Sequence, residues 1–305
     1  MVFENEIVSS LIIAIVQGLT EWLPVSSSGH LVLFEKILQY RGGLMFDVAL
    51  HFGTLMAVFV YFGADIVDII RELLMGKLES ENGRLGLLII VATIPAALVG
   101  FLLKNVFEQA FSSLAIVAVG FAITGVFLLI VSIGGKGTSP TRGHARNNWE
   151  DTRRATRSPT QKYHNNKSRS VLRGDGIIGK GKRFGYLGAL LVGIAQIFSL
   201  FPGVSRSGAT IGSGLLLGLN EKNAVKFSFL MSIPIIFGAS ILTIGNQTLP
   251  SNLIWATLVS FIVGLGTIHL LYGKMLAKRK NLKWFAVYAL LLAVGIGVWM
   301  VVFRV

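Results

Sequence analysis

The sequence contains no cysteine in its 305 residues. Disulfide bonds, thiolate metal ligands and a catalytic thiol are therefore excluded. Charged residues are scarce, because they make up 14% of the chain, whereas an average soluble domain has about 25%. Hydrophobic residues make up 53%. A chain with so little polar surface cannot cover itself in water, so the composition indicates an integral membrane protein.

The N-terminal region has no lysine or arginine before Lys36, and it carries Glu4 and Glu6. A cleavable signal peptide needs a basic first segment and a cleavage site with small residues. Neither feature is visible. We therefore expect that no signal peptide is cleaved and that the membrane spans themselves direct insertion.

Six apolar runs are long enough to cross a hydrocarbon core of about 30 Å as helices. They cover residues 44–62, 85–103, 111–133, 227–244, 253–272 and 284–303. Residues 7–40 and 185–222 differ, because each contains two short apolar pieces separated by a turn with proline, serine and glycine. We predict that each forms a re-entrant helix-turn-helix hairpin, buried in protein. The predicted fold is an all-α integral membrane protein with six transmembrane helices and two re-entrant hairpins.

The two hairpins resemble each other in sequence. At an offset of 179 residues, Gln17 aligns with Gln196, and the segment 25–29 (VSSSG) aligns with 204–208 (VSRSG). Each hairpin is followed by three spans, and an odd number of crossings turns the second half upside down. We therefore predict an inverted-topology repeat, with residues 1–133 as the first half and 184–305 as the second. In such repeats the irregular tips meet near the bilayer midplane.

The segment 134–183 joins the two halves and carries 13 basic and three acidic residues. Its polar composition predicts a largely disordered loop that could contact anionic lipid headgroups. We do not expect nucleic acid as a partner. The short connections 63–84 and 273–283 add eight basic residues on the same side, against two on the other side. The positive-inside rule makes this side cytoplasmic, so both termini are expected outside.

The first tip combines a carboxylate, hydroxyls and a histidine. Gln17 and Glu21 are four residues apart, so they share one helix face, and their oxygens suit Mg²⁺ or Ca²⁺. Pro24 ends this helix. Ser26, Ser27 and Ser28 then offer hydroxyls and backbone N–H groups for phosphate, and His30 is a candidate acid or base. The spacing alone does not select one serine as the nucleophile.

The second tip adds an arginine suited to bidentate phosphate binding. Candidate phosphate-binding residues here are Ser205, Arg206, Ser207 and Thr210. A carboxylate, a serine nucleophile, a histidine and an arginine together favour phosphoryl transfer.

Several of these residues also have structural interpretations. Glu21 could form a buried ion pair with Arg206, Gln17 could only pack, and His30 could only orient a helix. Asp47 and His51, four apart at the start of a span, are interpreted as hydrogen-bonded interior groups.

Four segments carry a resemblance to the undecaprenyl pyrophosphate phosphatases of the bacitracin-resistance type. They are QGLTEWLPVSSSGH (17–30), FDVALHFGTLMAV (46–58), PGVSRSGAT (202–210) and FSFLMSIP (227–234). The resemblance covers the chain apart from the basic segment. It implies hydrolysis of undecaprenyl (C55) diphosphate to the monophosphate, which recycles the lipid carrier of cell-wall glycan synthesis, and it implies a divalent cation.

The resemblance also implies roles for single residues. It selects Ser27 as the nucleophile and Glu21 as a metal ligand. Many members have an acid where this chain has Gln17, so the motif is matched there by its glutamine variant. The family's other active-site positions match Ser26, His30, Ser205, Arg206 and Thr210 in this sequence.

The expected location is the plasma membrane, with the active site facing outside. The expected partners are a polyprenyl diphosphate lipid and the bilayer, and a homodimer is left open. The alternative function is that of a prenyl-phosphate flippase, because inverted repeats with interrupted helices are also a transporter design.

Overall fold

The computed structural model describes residues 2–40, 42–134, 184–244, 252–272 and 278–304, and within these ranges all regular structure is helical. The helices are α1 Val2–Thr20, α2 Ser27–Ile37, α3 Gly43–Tyr61, α4 Gly63–Leu74, α5 Glu81–Leu102, α6 Lys104–Phe111, α7 Leu114–Ile133, α8 Tyr186–Ile197, α9 Arg206–Leu216, α10 Glu221–Ile244, α11 Asn252–Leu270 and α12 Leu282–Phe303. Nearly all of the basic segment 134–183, for which disorder was predicted, lies outside the described residues.

Six of these helices are long and apolar enough to cross a bilayer, namely α3, α5, α7, α10, α11 and α12. The prediction of an all-α membrane protein with six spans is therefore confirmed. Prolines lie inside two of the spans, Pro95 in α5 and Pro234 in α10. Membrane helices tolerate such prolines because neighbouring groups satisfy the freed carbonyls.

Two short helices, α4 and α6, lie in segments for which the sequence predicted only connections. The α4 helix buries Ile66 and Ile69 on one face and carries charged residues on the other. The α6 helix likewise buries Phe107 and Ala110. A one-sided apolar face on a short charged helix is typical of helices lying at a membrane surface. Neither segment was recognised as a helix in the sequence, because its apolar residues do not form a run long enough to span a membrane.

The two segments predicted as hairpins form helix-turn-helix units. The first consists of α1 and α2, and the second of α8, a 3₁₀ turn at Phe198–Leu200, and α9. The α2, α8 and α9 helices have 11 or 12 residues, which corresponds to about 17–18 Å at 1.5 Å per residue. These three helices are thus too short to span. The α1 helix differs from the prediction, because it has 19 residues and begins at Val2, before the short apolar piece expected from residue 7. Entry and exit through one membrane face stays a prediction.

Each hairpin packs on a long helix from the other half of the chain: α1 packs on α11, and α8 packs on α5. Glycines permit both contacts. A β-carbon on Gly193 of α8 would lie 2.2 Å from the carbonyl oxygen of Ala92, and one on Gly18 of α1 would lie 2.9 Å from that of Ser260. Small residues at such crossings let helix backbones approach closely. An inverted repeat would produce this arrangement, in which each hairpin packs on a helix of the other half. The repeat itself stays a prediction.

The tips of the two units touch each other. The Ser207 hydroxyl donates to the carbonyl oxygen of Leu23 at 2.8 Å. Thr124 of α7 fixes the second tip, because its hydroxyl donates to the Gly203 carbonyl and accepts from the Ser205 N–H, both at 2.9 Å. The irregular segments therefore have hydrogen-bond partners inside the protein.

Candidate active site

Both tips start their second helix with the same cap. The Ser26 hydroxyl accepts a hydrogen bond from the Gly29 N–H at 3.2 Å, and the Ser205 hydroxyl accepts from the Gly208 N–H at 3.0 Å. These pairs are related by the 179-residue offset seen in the sequence. A capping serine satisfies one of the open N–H groups of a first helical turn. The N-termini of α2 and α9 therefore lie at the tips, and helix N-termini favour anions.

The first tip holds Ser26 in an unusual backbone conformation. Its φ is +68°, a region in which residues other than glycine cost on the order of 1–3 kcal/mol. At the second tip the positive φ belongs to Gly203, at +91°. The strained residue directly precedes Ser27 and the start of α2, so it fixes the direction in which α2 leaves the tip.

Glu21 lies at the centre of the contacts between the tips. Its carboxylate is buried, and Oε1 is paired with the guanidinium of Arg206. Oε2 accepts hydrogen bonds from the Ser27 hydroxyl at 2.6 Å and from Gln17 Nε2 at 2.9 Å. Four of the residues selected from the sequence therefore meet at one carboxylate, although their roles stay predictions.

Arg206 is the first residue of α9, and its side chain reaches back across the interface between the tips. Its guanidinium carbon lies 5.7 Å from the ring centroid of Trp22, which is fully buried. The aromatic face adds a favourable cation–π contact. The ion pair with Glu21 was one of the structural interpretations of these residues. It leaves part of the guanidinium accessible, because 15% of the side chain is exposed.

The hydroxyl groups of the two tips fall into two sets. Those of Ser207 and Thr210 are buried and bonded within the protein, to Leu23 O at 2.8 Å and to Ser228 Oγ at 2.6 Å, respectively. They hold the tips and their helices in place. Ser27 is only partly buried and bonds to the catalytic candidate Glu21. Among the hydroxyls of the two tips, the Ser27 group combines partial access with a carboxylate acceptor.

Ser28 and Ser205 take part in the same capping network. The Ser28 hydroxyl lies 3.2 Å from that of Ser26, and the Ser205 hydroxyl lies 3.3 Å from that of Ser207. Ser28 is partly buried, whereas Ser205 is buried. Of these two hydroxyls, that of Ser28 is the more accessible to a phosphate. The backbone N–H groups at the starts of α2 and α9 would supply the remaining predicted contacts.

His30 supports the first tip from behind. Its Nδ1 lies 2.6 Å from the Ser26 carbonyl oxygen, which can only accept, so Nδ1 carries the hydrogen and Nε2 accepts from the Tyr288 hydroxyl at 2.8 Å. Both ring nitrogens are thus occupied by groups other than Ser27. In this arrangement His30 orients the tip. Tyr288 belongs to α12, and no sequence pattern indicated it.

His51 of α3 was interpreted as an interior group, but it lies beside the site. Its Nε2 is 3.5 Å from Glu21 Oε2, and its Nδ1 donates to the Asp47 carbonyl oxygen at 2.7 Å. Its side chain is 26% exposed. The spacing of Asp47 and His51 was the available signal, but the packing of α3 against the first tip was needed to interpret it.

The oxygens of Gln17 and Glu21 fit the predicted divalent cation in part. The Oε1 atom of Gln17 is buried and has no hydrogen-bond partner within the described ranges. No group of three His, Cys, Asp or Glu side chains suited to a metal was found in the described part of the chain. Mg²⁺ is often held by one or two carboxylates together with substrate phosphates, so this donor set suits an ion that arrives with a diphosphate.

An apolar groove adjoins the second tip. It has a volume of about 400 Å³. Its wall includes Ile116, Val119 and Ile123 of α7 and Phe198, Phe201 and Val204 of the tip. Val204 belongs to the second tip and is two residues before Arg206 in the sequence.

Comparison with known proteins places this site in a family. The model of the bacitracin resistance protein BacA family matches residues 10–295. An undecaprenyl-diphosphatase of Thermosipho melanesiensis is 37% identical over 284 residues, covering 93% of this chain and 96% of the relative. One of Caldicellulosiruptor bescii is 38% identical over 291 residues, covering 93% and 94%. The chain belongs to the bacitracin resistance protein BacA family.

Proposed function

We propose that this protein is an undecaprenyl-diphosphatase, a hydrolase that converts undecaprenyl diphosphate to undecaprenyl phosphate and inorganic phosphate. The names of its relatives support this activity. The observation that carries the proposal is the contact of Ser27 and Arg206 with the two oxygens of one carboxylate, Glu21. This contact supports the proposal, because the side chains of the proposed nucleophile and of the proposed phosphate ligand then lie close together between the tips.

In the first step, the Ser27 oxygen attacks the terminal phosphorus of the diphosphate. The bond from this phosphorus to the bridging oxygen breaks, and the lipid monophosphate leaves. Glu21 is positioned to take the hydroxyl proton, because it already accepts the Ser27 hydrogen bond at 2.6 Å. In the second step, water attacks the phosphoserine, and the serine recovers a proton as inorganic phosphate leaves.

Arg206 stabilises the charge on the transferred phosphoryl group. A planar guanidinium can bind two phosphoryl oxygens at once, and preorganised positive groups of this kind commonly supply the largest catalytic effect. The N-termini of α2 and α9 add partial positive charge at the same place. Ser26, Ser28, Ser205, Ser207 and Thr210 then shape the phosphate pocket mainly through caps and tip contacts.

A divalent cation, Mg²⁺ or Ca²⁺, would be held by Glu21 and Gln17 and would neutralise diphosphate charge. His30 and Tyr288 keep the Ser26 carbonyl, and with it the start of α2, in place. The prenyl chain would lie in the apolar groove beside Val204, since the diphosphate head must remain at the tips.

The proposed orientation follows from the basic residues of the connections, which put the termini and the site on the outer side of the plasma membrane. The enzyme would therefore act on the carrier lipid after its glycan cargo has been transferred. The product would be the monophosphate form needed for another round of cell-wall glycan synthesis.

The test is phosphate release by the purified protein from undecaprenyl diphosphate in detergent, where no gradient exists. We expect release by the wild type, loss with Ser27→Ala, and a trapped phosphoserine on Ser27 after rapid quenching. Ser132→Ala, distant from the tips, serves as the control. Loss of activity in EDTA and recovery with a divalent cation would support the metal role of Glu21. Absence of release by the wild type, with lipid translocation in sealed vesicles, would instead favour the flippase.

A further inference from the structure

His51 and Glu21 face each other with two hydrogen-bond acceptors. The Nδ1 atom of His51 lies 2.7 Å from the Asp47 carbonyl oxygen, which has no hydrogen to give. Nδ1 therefore carries the ring hydrogen. When the ring carries no second hydrogen, Nε2 presents its lone pair to Glu21 Oε2, at 3.5 Å.

A cation between these two lone pairs would relieve their repulsion, because the Arg206 guanidinium is paired with the other carboxylate oxygen, Oε1. A proton on Nε2 would make a charge-assisted hydrogen bond, but such bonds are about 2.7–2.9 Å long, shorter than the 3.5 Å found here. Two ligands that bind one metal ion at about 2.0–2.3 Å, with an angle of about 90–110° between them, lie about 2.8–3.8 Å apart. The observed separation fits a shared ion better than a direct hydrogen bond.

The neighbouring donors point to the same conclusion. Oε2 of Glu21 also faces the amide of Gln17, at 2.9 Å from Nε2. The assignment of nitrogen and oxygen in such an amide depends on its hydrogen-bond network, and Oε1 has no partner in the described ranges although it is buried. Nε2 has its acceptor in the orientation found, so only a cation between the two oxygens would favour turning the amide and placing Oε1 next to Glu21.

We propose that His51 Nε2 is a ligand of the divalent cation of this site, together with Glu21 and Gln17. The inference rests on the proposed function only in placing the ion at the same site. An imidazole ligand changes the metal preference, because imidazole suits transition metals such as Zn²⁺ and Ni²⁺, whereas carboxylate and carbonyl ligands suit Mg²⁺, Ca²⁺ and Mn²⁺. The site should therefore bind Zn²⁺ more tightly than Ca²⁺, and Mn²⁺ serves as the paramagnetic probe.

The test is binding of Mn²⁺ alone to the purified full chain, followed by electron paramagnetic resonance. We expect the pulsed spectrum of the wild type to show nitrogen-14 modulation from a bound imidazole. His51→Ala should lose the modulation and weaken Mn²⁺ binding about 10- to 100-fold. The matched control is His269→Ala, an exposed histidine of α11, which should change neither measurement.

Three outcomes would overturn the inference: a wild type without nitrogen modulation, His51→Ala with modulation unchanged, or equal Mn²⁺ affinity in both. His51→Gln provides a second variant of similar size if the alanine variant does not fold, and it should also lose the imidazole signal. No substrate is present, so the result is independent of phosphate release. A wild type that shows the imidazole signal but releases no phosphate would contradict the proposed activity and support the His51 ligand.

Discussion

Ser207 donates its hydroxyl hydrogen to the backbone carbonyl of Leu23, and this 2.8 Å bond joins the two tips directly before Pro24. The same carbonyl also accepts from the Val25 N–H at 2.8 Å, so the Ser207 hydroxyl is its second donor and ties it to the other tip. Ser207 adjoins Arg206 and Leu23 is two residues from Glu21, so the bond helps to fix the distance between the two tips.

We therefore expect Ser207→Ala to weaken both the fold and the activity. Removing one hydrogen bond inside the protein costs about 0.5–1.5 kcal/mol, so the melting temperature in detergent should fall measurably. Phosphate release should fall with it, because the tips can then separate. Ser132→Ala removes a hydroxyl that bonds only within its own exposed helix turn and should leave both unchanged. An unaltered melting temperature for Ser207→Ala would contradict this account.

The proposed role of Arg206 predicts that lysine cannot replace it. Lysine keeps the charge but loses the planar fork and the stacking on Trp22. Removing such a preorganised group typically costs about 10²–10³ in kcat, and we expect Arg206→Lys to fall in this range when phosphate release is measured. Arg71→Lys, on the exposed surface of α4, is the matched control. A kcat within about twofold of wild type for Arg206→Lys would show that point charge alone suffices.

The geometry of the tips could largely be anticipated from the sequence. Gln17 and Glu21 share a helix face because of their four-residue spacing, and the repeated motif suggested that Arg206 would approach them. The positions of His51 and Tyr288 beside the tips could not be anticipated, because His51 had only its spacing from Asp47 as a signal and Tyr288 had none. Their positions depend on how α3 and α12 pack, which is set by many apolar contacts that a single sequence does not specify.

Tyr288 should matter through His30. Tyr288→Phe removes the hydroxyl that donates to His30 Nε2 at 2.8 Å and leaves the stacked ring in place. A neutral hydrogen bond contributes about 0.5–1.5 kcal/mol, so we expect kcat for phosphate release to fall about 2- to 10-fold. Tyr186→Phe, an exposed tyrosine at the start of α8, provides the comparison. If His30→Ala lowers kcat while Tyr288→Phe does not, the contribution of His30 to catalysis does not depend on the hydrogen bond from Tyr288.

A double substitution can separate the structural and the catalytic interpretations of the ion pair between Glu21 and Arg206. Removing one partner of a buried pair costs about 3–5 kcal/mol, whereas replacing both by uncharged residues of similar size is often neutral or stabilising. Glu21→Gln should therefore destabilise the protein, and adding Arg206→Met should restore the melting temperature. The double variant should still release no phosphate, because the proton acceptor and the phosphate ligand are both gone. Recovery of activity together with stability would mean that the pair only holds the two tips together, and the proposed chemistry would have to be assigned to other residues.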